Sequence, residues 1–142
     1  MKLSAVLAAK GNRVFTIGPG SSIRDAIDTL AGNNIGALVV IGRAGEPVGL
    51  LSERDIIRAM ASSPGAIQQT VADLMTSPVL TAAPDDDADS VLRTMTSGRF
   101  RHMPVVEGDS LVGMVTIGDL VKAQLTEFRG TVESLETRLL ES

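Results

Sequence analysis

Hydrophobic positions along the chain change their spacing several times, and each change marks a boundary between predicted elements. Residues 14–17 form an apolar strand that ends at Gly-Pro-Gly, and Ser22-x-x-Asp25 then has the pattern of a capping box that starts a helix. Residues 38–41 and 48–51 are continuous apolar runs on either side of the turn GRAGE, which predicts two strands joined as a hairpin. Another helix follows directly. The predicted order of elements is therefore β-α-β-β-α.

This order of elements occurs twice along the chain. The segment VFTIGPGSSIRDAIDTL from Val14 aligns with VLTAAPDDDADSVLRTM from Val79, at an offset of 65 residues. The offset becomes 64 at the hairpin turn, and GLLSERD from Gly49 then aligns with GMVTIGD from Gly113. A one-residue change confined to a turn is tolerated between two copies of one supersecondary unit. The pattern predicts an α/β (α+β) fold of two repeats, residues 1–62 and 63–124.

Helical patterns flank the two repeats. SAVLAA predicts a short N-terminal helix before the first repeat, and TVADLM predicts a small helix before the second. The start of the chain resembles a secretory signal, but its apolar stretch ends at Lys10 and Gly11, which favours the helix. Residues 125–142 predict a C-terminal helix, although Gly130 costs a helix about 1 kcal/mol relative to alanine. Its apolar residues recur at spacings of three and four: Leu125, Phe128, Val132, Leu135 and Leu139. This helix packs either along a second copy or back onto its own repeats.

Composition narrows the possible functions. Hydrophobic residues make up 44% of the 142 positions and charged residues 21%, which is typical of a folded chain. With three Phe and neither Trp nor Tyr, the chain has no aromatic platform on which nucleic-acid bases could stack. A net charge of −4 gives no general attraction to nucleic acid or to anionic membranes, and no apolar run is long enough to cross a bilayer. These features favour a cytoplasmic protein that binds neither nucleic acid nor membranes.

The pairs Ser52/Asp55 and Thr116/Asp119 occupy the same position in the two repeats. Each pair places a hydroxyl where a strand ends and a helix begins, beside backbone N–H groups and the positive end of the helix dipole. A phosphate fits that environment, and an ionised aspartate one turn later accepts two hydrogen bonds from a ribose diol. The alternative is that both pairs only cap their helices. The two roles are compatible with each other.

The segments GLLSERD, GMVTIGD and FRHMPVV, placed at matched register, resemble a tandem pair of cystathionine β-synthase (CBS) domains, the Bateman module. The resemblance covers about residues 14–122, and the layout is similar to that of small stand-alone CBS-pair proteins. It implies a pseudo-two-fold module that binds an adenosine-containing effector such as AMP, ATP, NAD or S-adenosylmethionine. It also implies a homodimer that acts as a non-enzymatic sensor on an unknown regulated protein. The alternative function is a ligand-independent dimerisation or adaptor module.

The resemblance implies two clefts and a set of residues that hold the ligand. Backbone hydrogen bonds and apolar contacts to adenine would come from Thr16, Ile17, Gly36, Ala37, Leu38, Val39, Thr81, Ala82, His102, Met103 and Pro104. The ribose and phosphates would meet Ser52, Arg54, Asp55, Thr116, Ile117, Asp119, Arg99 and Arg101, with Lys10 and Arg13 near a phosphate. His102 is either a phosphate contact or an ordinary strand-edge histidine. The first repeat has Asn34 and Gly36 where the second has Arg99 and Arg101, so the two clefts are expected to differ in chemistry.

Other chemistry is poorly supported by the sequence. GPGSSI lacks the third glycine of a dinucleotide-binding turn, because Ile23 stands in its place. DDDADS resembles the start of a calcium loop, but Ser90 and Thr96 replace the glycine and glutamate that such a loop needs. There is one histidine and no cysteine, so we expect no metal site and no cysteine nucleophile. CBS pairs also occur within a dehydrogenase whose catalytic domain is a barrel. A chain of 142 residues is too short to contain that barrel, so we do not expect this enzyme activity.

Overall fold

The fold comes from a computed structural model that describes residues 1–141. In chain order its elements are α1 (Leu3–Lys10), β1 (Thr16–Ile17), α2 (Ile23–Asn33), β2 (Ala37–Ile41), β3 (Pro47–Ser52), α3 (Glu53–Ser62), a 3₁₀ turn (Pro64–Gln68), α4 (Val71–Leu74), α5 (Ala88–Gly98), β4 (His102–Glu107), β5 (Ser110–Thr116) and α6 (Ile117–Glu141). The mixed α and β composition confirms the predicted fold class.

Strand pairing confirms the register of the repeat. In the first repeat β1 runs parallel to β2, and β2 pairs antiparallel with β3, whereas in the second repeat β4 pairs antiparallel with β5. Ala37 pairs with Ser52 in the first hairpin, and His102 pairs with Thr116 in the second. These pairs are related by the offsets of 65 before the turn and 64 after it. The two hairpins also share a register irregularity at the same position, after Val40 and after Val105.

The strand that alignment with residues 14–17 predicts at residues 79–82 is reduced to a single bridge. Only Ala82 pairs there, in a single parallel bridge to Val105, where the first repeat has the two-residue strand β1. The Ala82 N–H donates to the Pro104 carbonyl, and its own carbonyl accepts from the Val106 N–H. Prolines at positions 78 and 84 flank the bridge and have no N–H with which to extend a ladder.

The helices follow the predicted pattern except at the C-terminal end. Ser22 caps α2, and its Oγ accepts from the Asp25 N–H at 3.0 Å. The sequence placed a separate C-terminal helix from residue 125, but α6 runs for 25 residues across that boundary. Because α6 begins directly after β5, the second helix of the second repeat and the tail form one element. Its counterpart α3 has only 10 residues and ends just before Pro64.

The helix that precedes each repeat packs into the core of the other repeat. Leu3, Val6 and Leu7 of α1 lie in the second-repeat core, whereas Val71 of α4 lies in the first-repeat core. The equivalent residues Gly49 and Gly113 make this crossing possible. A Cβ at Gly49 would collide with the Met75 side chain, and a Cβ at Gly113 would lie 2.8 Å from Leu7 Cδ2. The glycine that opens each repeated segment therefore leaves room for a side chain from the crossing segment, Leu7 of α1 or Met75 just after α4.

The two β-hairpins turn their second faces away from these cores. Leu38 and Val40 belong to the first-repeat core, and adjacent residues of a strand point to opposite faces. Val39 and its equivalent Pro104 are both fully buried but belong to neither core. The fold thus has one core in each repeat and a further buried layer on the opposite face of each hairpin.

Two kinds of feature are absent from residues 1–141. No helix among them combines the length and the apolar composition that a bilayer crossing requires. No three of their His, Asp or Glu side chains lie close enough together to hold a metal ion. The acidic segment at residues 85–89 instead contributes to helix starts, since Asp87 caps α5 and accepts from the Ser90 N–H at 3.1 Å.

Candidate functional site

Both repeated hydroxyl–aspartate pairs form reciprocal capping boxes. Ser52 Oγ accepts from the Asp55 N–H at 3.2 Å, and Asp55 Oδ2 accepts from the Ser52 N–H at 2.9 Å. The corresponding distances for Thr116 and Asp119 are 3.0 and 2.9 Å. Both pairs therefore cap their helices, a role that is compatible with ligand binding. Each aspartate makes its backbone hydrogen bond through Oδ2, which leaves Oδ1 out of the box.

A cleft of about 800 Å³ lies beside the first of these capping boxes. Its walls come from both repeats. The first repeat and the segment after it contribute Gly36, Leu50, Ser52, Glu53, Arg54, Asp55, Ile57, Arg58 and Thr76. The second repeat contributes Gly98, Arg99, Phe100, Arg101 and His102. The cleft is formed where the start of α3 faces the loop between α5 and β4.

Four arginines line this cleft. Arg54 and Arg58 lie on α3 four residues apart, on one face of the helix, and Arg99 and Arg101 come from the loop of the other repeat. None of the four guanidinium groups forms a salt bridge to another residue of the described chain. Glu53 and Asp55 are the acidic residues of the wall, so the lining has an excess of positive charge. Such a surface favours an anionic ligand.

The loop that carries two of these arginines has a defined backbone. Arg99 directly follows helix α5 in the left-handed conformation, with φ 59°, and Asn34 follows α2 in the same way, with φ 52°. Such a residue commonly ends a helix and reverses the chain. A Cβ at Gly98 would collide with the ring of Phe100, so the glycine allows that ring to lie against the end of the helix.

His102 is half-buried at the edge of the cleft. Burial lowers its pKa below the ordinary value of 6.5, the positive charge of Arg101 lowers it further, and Glu53 acts in the opposite direction. A Cβ built on Gly36 would lie 3.6 Å from His102 Nε2, so the histidine ring lies close to the first repeat. The neutral imidazole is the favoured form at neutral pH, so the positive charge of the cleft comes from the arginines.

Asp119 has a different environment from Asp55. Its Oδ2 accepts from Lys10 Nζ at 2.6 Å, and Lys10 also donates to the Met114 carbonyl at 2.9 Å. Burial acts to raise the pKa of Asp119, but the hydrogen bonds from Lys10 and from the Thr116 N–H outweigh it and hold the pKa below 3.8. Lys10 and Asp119 belong to a pocket of about 160 Å³ between α1 and α6.

The predicted site residues fall into three groups. Seven line the 800 Å³ cleft: Gly36, Ser52, Arg54, Asp55, Arg99, Arg101 and His102. Six have buried side chains: Ala37, Leu38, Val39, Ala82, Met103 and Pro104. Several backbone groups of this second set are already paired, because the Val39 N–H donates to Phe15 and the Pro104 carbonyl accepts from Ala82. The others lie outside the lining of that cleft: Lys10, Arg13, Thr16, Ile17, Thr81, Thr116, Ile117 and Asp119.

Arg13 has a partner of its own outside the cleft. Its guanidinium carbon lies 4.7 Å from the centroid of the Phe15 ring, which is a cation–π geometry. Thr16 and Thr81 are exposed, and Ile17 is half-buried against the first-repeat core. None of these four residues belongs to the lining of the arginine-containing cleft.

Sequence reasoning missed seven residues of the cleft wall: Leu50, Glu53, Ile57, Arg58, Thr76, Gly98 and Phe100. Arg58 was detectable, because it follows Arg54 by four positions on a predicted helix and so shares its face. Thr76 was not detectable, because it reaches the cleft through a non-local backbone pairing with Leu50 at 2.8 and 3.0 Å. Phe100 is 39% exposed, and only the turn at the end of α5 brings it to the wall.

Comparison with known proteins shows clear relatives. The CBS domain family matches this chain twice, over residues 11–62 and 71–126. The mitochondrial CBS domain-containing protein CBSX3 of Arabidopsis thaliana is 33% identical over 119 residues, which cover 80% of this chain and 58% of that protein. This chain therefore spans less than two thirds of that relative.

Solved structures share the fold over most of the chain. The CBS-domain containing protein ATU1752 from Agrobacterium tumefaciens is 39% identical, with a TM-score of 0.83 over 87% of this chain and 99% of its own. The CBS domain pair of protein MJ0100, solved in complex with 5′-methylthioadenosine and S-adenosyl-L-methionine, is 26% identical. Its TM-score is 0.79 over 89% of this chain and 98% of its own.

Proposed function

This chain belongs to the CBS-domain family, and from that premise we propose that it is a non-enzymatic regulatory module that binds an adenosine-containing nucleotide between its two repeats. The observation that supports this most directly is the 800 Å³ cleft that both repeats form beside Ser52 and Asp55. Its volume lies in the range of about 300–1,000 Å³ that is usual for small-molecule sites. A ligand in this cleft would touch both repeats, so binding would favour one arrangement of the repeats over another.

The cleft offers separate partners for the ribose and for the phosphates. Asp55 Oδ1 lies outside the capping box and is available to accept a hydrogen bond from a ribose hydroxyl. The four arginines provide charge-assisted donors for phosphate oxygens, and guanidinium groups bind phosphates well because of their planar fork. Apolar contact for the adenine would come from Leu50, Ile57 and Phe100. The excess of cations favours a nucleotide with several phosphates, such as ATP, over AMP.

The related MJ0100 domain pair supports the adenosine part of the proposal, because it was solved with two adenosyl compounds. Neither of those compounds has a phosphate chain. The arginines of the present cleft therefore argue for the same nucleoside with a more anionic substituent. We propose no metal ligands from the described residues in the effector site, because no three of their His, Asp or Glu side chains lie together.

Binding of nucleotide can be tested directly. Isothermal titration calorimetry with ATP, AMP and NAD should give measurable heat with at least ATP. Since the chain has neither Trp nor Tyr, a nucleotide retained through purification would also dominate the near-ultraviolet absorbance after denaturation. If none of the three nucleotides produces heat and no nucleotide band is released, the ligand-independent adaptor function replaces this proposal.

We also propose that the module forms a homodimer through its last helices. Leu125, Phe128, Val132, Leu135 and Leu139 are between 37% and 75% exposed along one stripe of α6. Val121 is also exposed on α6, four residues before Leu125, and continues this stripe toward the start of the helix. A two-fold interface requires one patch to complement itself, and a stripe with spacings of three and four on a helix packs well against its own copy.

Sedimentation equilibrium of the full chain tests the dimer. The wild type should be dimeric at micromolar concentration, and Val132→Glu combined with Leu135→Glu should make it monomeric. The matched control is Ser134→Glu combined with Thr137→Glu, which adds the same charge to exposed polar positions of α6. A monomeric wild type contradicts the dimer, and a monomeric control shows that charge alone is responsible.

A further inference from the structure

In the second repeat, the side chain of Lys10 makes a contact that backbone groups make in the first repeat. In the first repeat, the Leu50 N–H and carbonyl pair with Thr76 at 3.0 and 2.8 Å. Met114 is the equivalent of Leu50 at the offset of 64 residues, and its carbonyl accepts instead from Lys10 Nζ at 2.9 Å. Lys10 is the last residue of α1, the helix that crosses into the second-repeat core. The crossing therefore brings an ammonium group to the edge of β5.

The same ammonium group engages the aspartate that the resemblance assigns to a ligand. Lys10 Nζ lies 2.6 Å from Asp119 Oδ2, and the two side chains are 32% and 23% exposed. The lowered pKa of Asp119 is consistent with a stable ion pair. Asp55, its equivalent, forms no salt bridge with any residue that the structure describes. One aspartate is therefore available to a ribose, and the other is already bound to a cation.

The charge around the two aspartates also differs. Asp119 borders a pocket of about 160 Å³ between α1 and α6, and this pocket shares only Asp119 and Lys122 with the positions equivalent to the lining of the large cleft. The four arginines of the large cleft also have weaker counterparts on the other side. At the equivalent positions stand Gly118 for Arg54, Lys122 for Arg58, Asn34 for Arg99 and Gly36 for Arg101.

We propose that Lys10 is an internal latch that closes the second cleft, so that one chain binds one nucleotide, in the cleft that contains Asp55. This inference rests on the proposed nucleotide-binding function and adds its stoichiometry and the residue that sets it. The ammonium of Lys10 occupies Asp119 and the Met114 carbonyl, and a ribose at Asp119 must displace it. Lys10 thus excludes ligand from the second cleft and is not itself a phosphate contact.

Calorimetry of the full chain with ATP tests the latch through the number of ATP molecules bound per chain. The wild type should bind one ATP. Lys10→Met keeps most of the aliphatic stem and removes the ammonium, and it should bind two, the second at least about tenfold more weakly because the arginines are missing there. The matched control is Lys2→Met, at the residue that directly precedes the same helix. Lys2 is 65% exposed and pairs with Asp85 at 3.5 Å, so this variant removes the same charge away from Asp119 and should still bind one ATP.

A second variant assigns the gained site. Adding Asp119→Asn to Lys10→Met should return the number of bound ATP molecules from two to one, because the new site depends on that carboxylate. Two ATP molecules on the wild type, or one on Lys10→Met, overturn the latch while nucleotide binding stands. If the wild type binds two ATP molecules and Lys10→Met binds one, Lys10 is a phosphate contact, and the latch is again overturned. No binding to any of these proteins overturns the proposed function and the latch together.

Discussion

The segments Ser52–Asp55 and Thr116–Asp119 have the same backbone hydrogen bonds, but only the second aspartate is held in an ion pair. In both, the hydroxyl and the carboxylate close a capping box at distances between 2.9 and 3.2 Å. In both, the first N–H of the helix donates to a carbonyl just before the hairpin: the Glu53 N–H donates to Gly36, and the Ile117 N–H donates to Arg101. Yet the first aspartate faces an arginine-lined cleft, and the second is paired with Lys10.

This comparison shows what a repeat preserves and what it leaves free. Backbone pairing and helix capping are required for each unit to fold, so both copies keep them. Some of the side chains around each aspartate come from elements distant in sequence, as Arg99 and Arg101 do for Asp55 and Lys10 does for Asp119. They can diverge without disturbing either hairpin. Equal motifs therefore do not imply equal sites.

Exchanging the arginine loop for its counterpart should have the largest effect. Arg99→Asn combined with Arg101→Gly gives the second repeat the residues that the first repeat has at these positions. Each lost charge-assisted contact costs about 1.5–3 kcal/mol, so ATP affinity should fall by about 100-fold or more. Asparagine tolerates the left-handed conformation at position 99, as Asn34 does. Arg24→Asn, on the exposed face of α2, is the control for lost charge, and calorimetry is the measurement. An affinity within threefold of wild type would remove the arginines from the site.

Truncating the two aspartates should distinguish the two clefts. Asp55→Ala should weaken ATP binding about 10- to 150-fold, because a charge-assisted hydrogen bond to the ribose is lost. Asp119→Ala should weaken it much less, since that carboxylate is occupied by Lys10. Circular dichroism establishes whether each variant is folded. Equal losses in the two variants would contradict the inequality of the clefts, and no loss in either would leave both aspartates as helix caps.

The free energy of unfolding should fall more in Asp119→Asn than in Asp55→Asn, which is the reverse of the order expected for ATP affinity. An asparagine oxygen can still accept from the Thr116 N–H, so Asp119→Asn mainly removes the ion pair with Lys10 and should cost about 1 kcal/mol of unfolding free energy at pH 7. Asp55→Asn should cost less, because Asp55 has no such partner within the described residues. The pKa of Asp119 is lowered, so its stabilising effect is present above pH 3.8 and is lost as the pH falls through the folded-state value. Urea unfolding at several pH values should show the difference between wild type and Asp119→Asn shrinking below that point. A difference that persists at low pH would exclude the ion pair as its cause.

The smallest expected effect is on the titration of His102, which has no counterpart histidine because Ala37 stands at the equivalent position. As the single histidine it gives one imidazole signal in a proton–carbon NMR spectrum. Its pKa should lie below 6.5, mainly because of burial, and should rise in Arg101→Gly, which removes a neighbouring positive charge. A lowered pKa means that the stabilising effect of neutral His102 is present above pH 6.5 and lost as the pH falls below it. A titration at or above 6.5 would contradict the half-buried position.

Much of the fold could be predicted from the sequence because the relevant information is local. Apolar spacing decides which face of a helix or strand is buried, and matching positions at offsets of 65 and 64 residues predicted pairs such as Ala37 with Ser52. Hydroxyl and carboxylate residues three positions apart predicted the caps of α3 and α6. The failures were at element ends. The predicted strand at residue 79 is reduced to the bridge at Ala82, and α6 continues through Gly130, whose cost is small beside the packing and hydrogen bonds of a 25-residue helix.

The chemistry of the site was less predictable, because it depends on which surfaces meet. The sequence by itself determined two copies of one unit, their register, their capped helices and the difference between Arg99/Arg101 and Asn34/Gly36. Only the tertiary structure decided that α1 crosses into the second repeat and delivers Lys10 to Asp119, 109 positions away. It also decided that the arginines of the second repeat face the aspartate of the first. Local periodicity specifies which residues are buried, but the partner of each exposed side chain is set by long-range packing, and no local pattern encodes it.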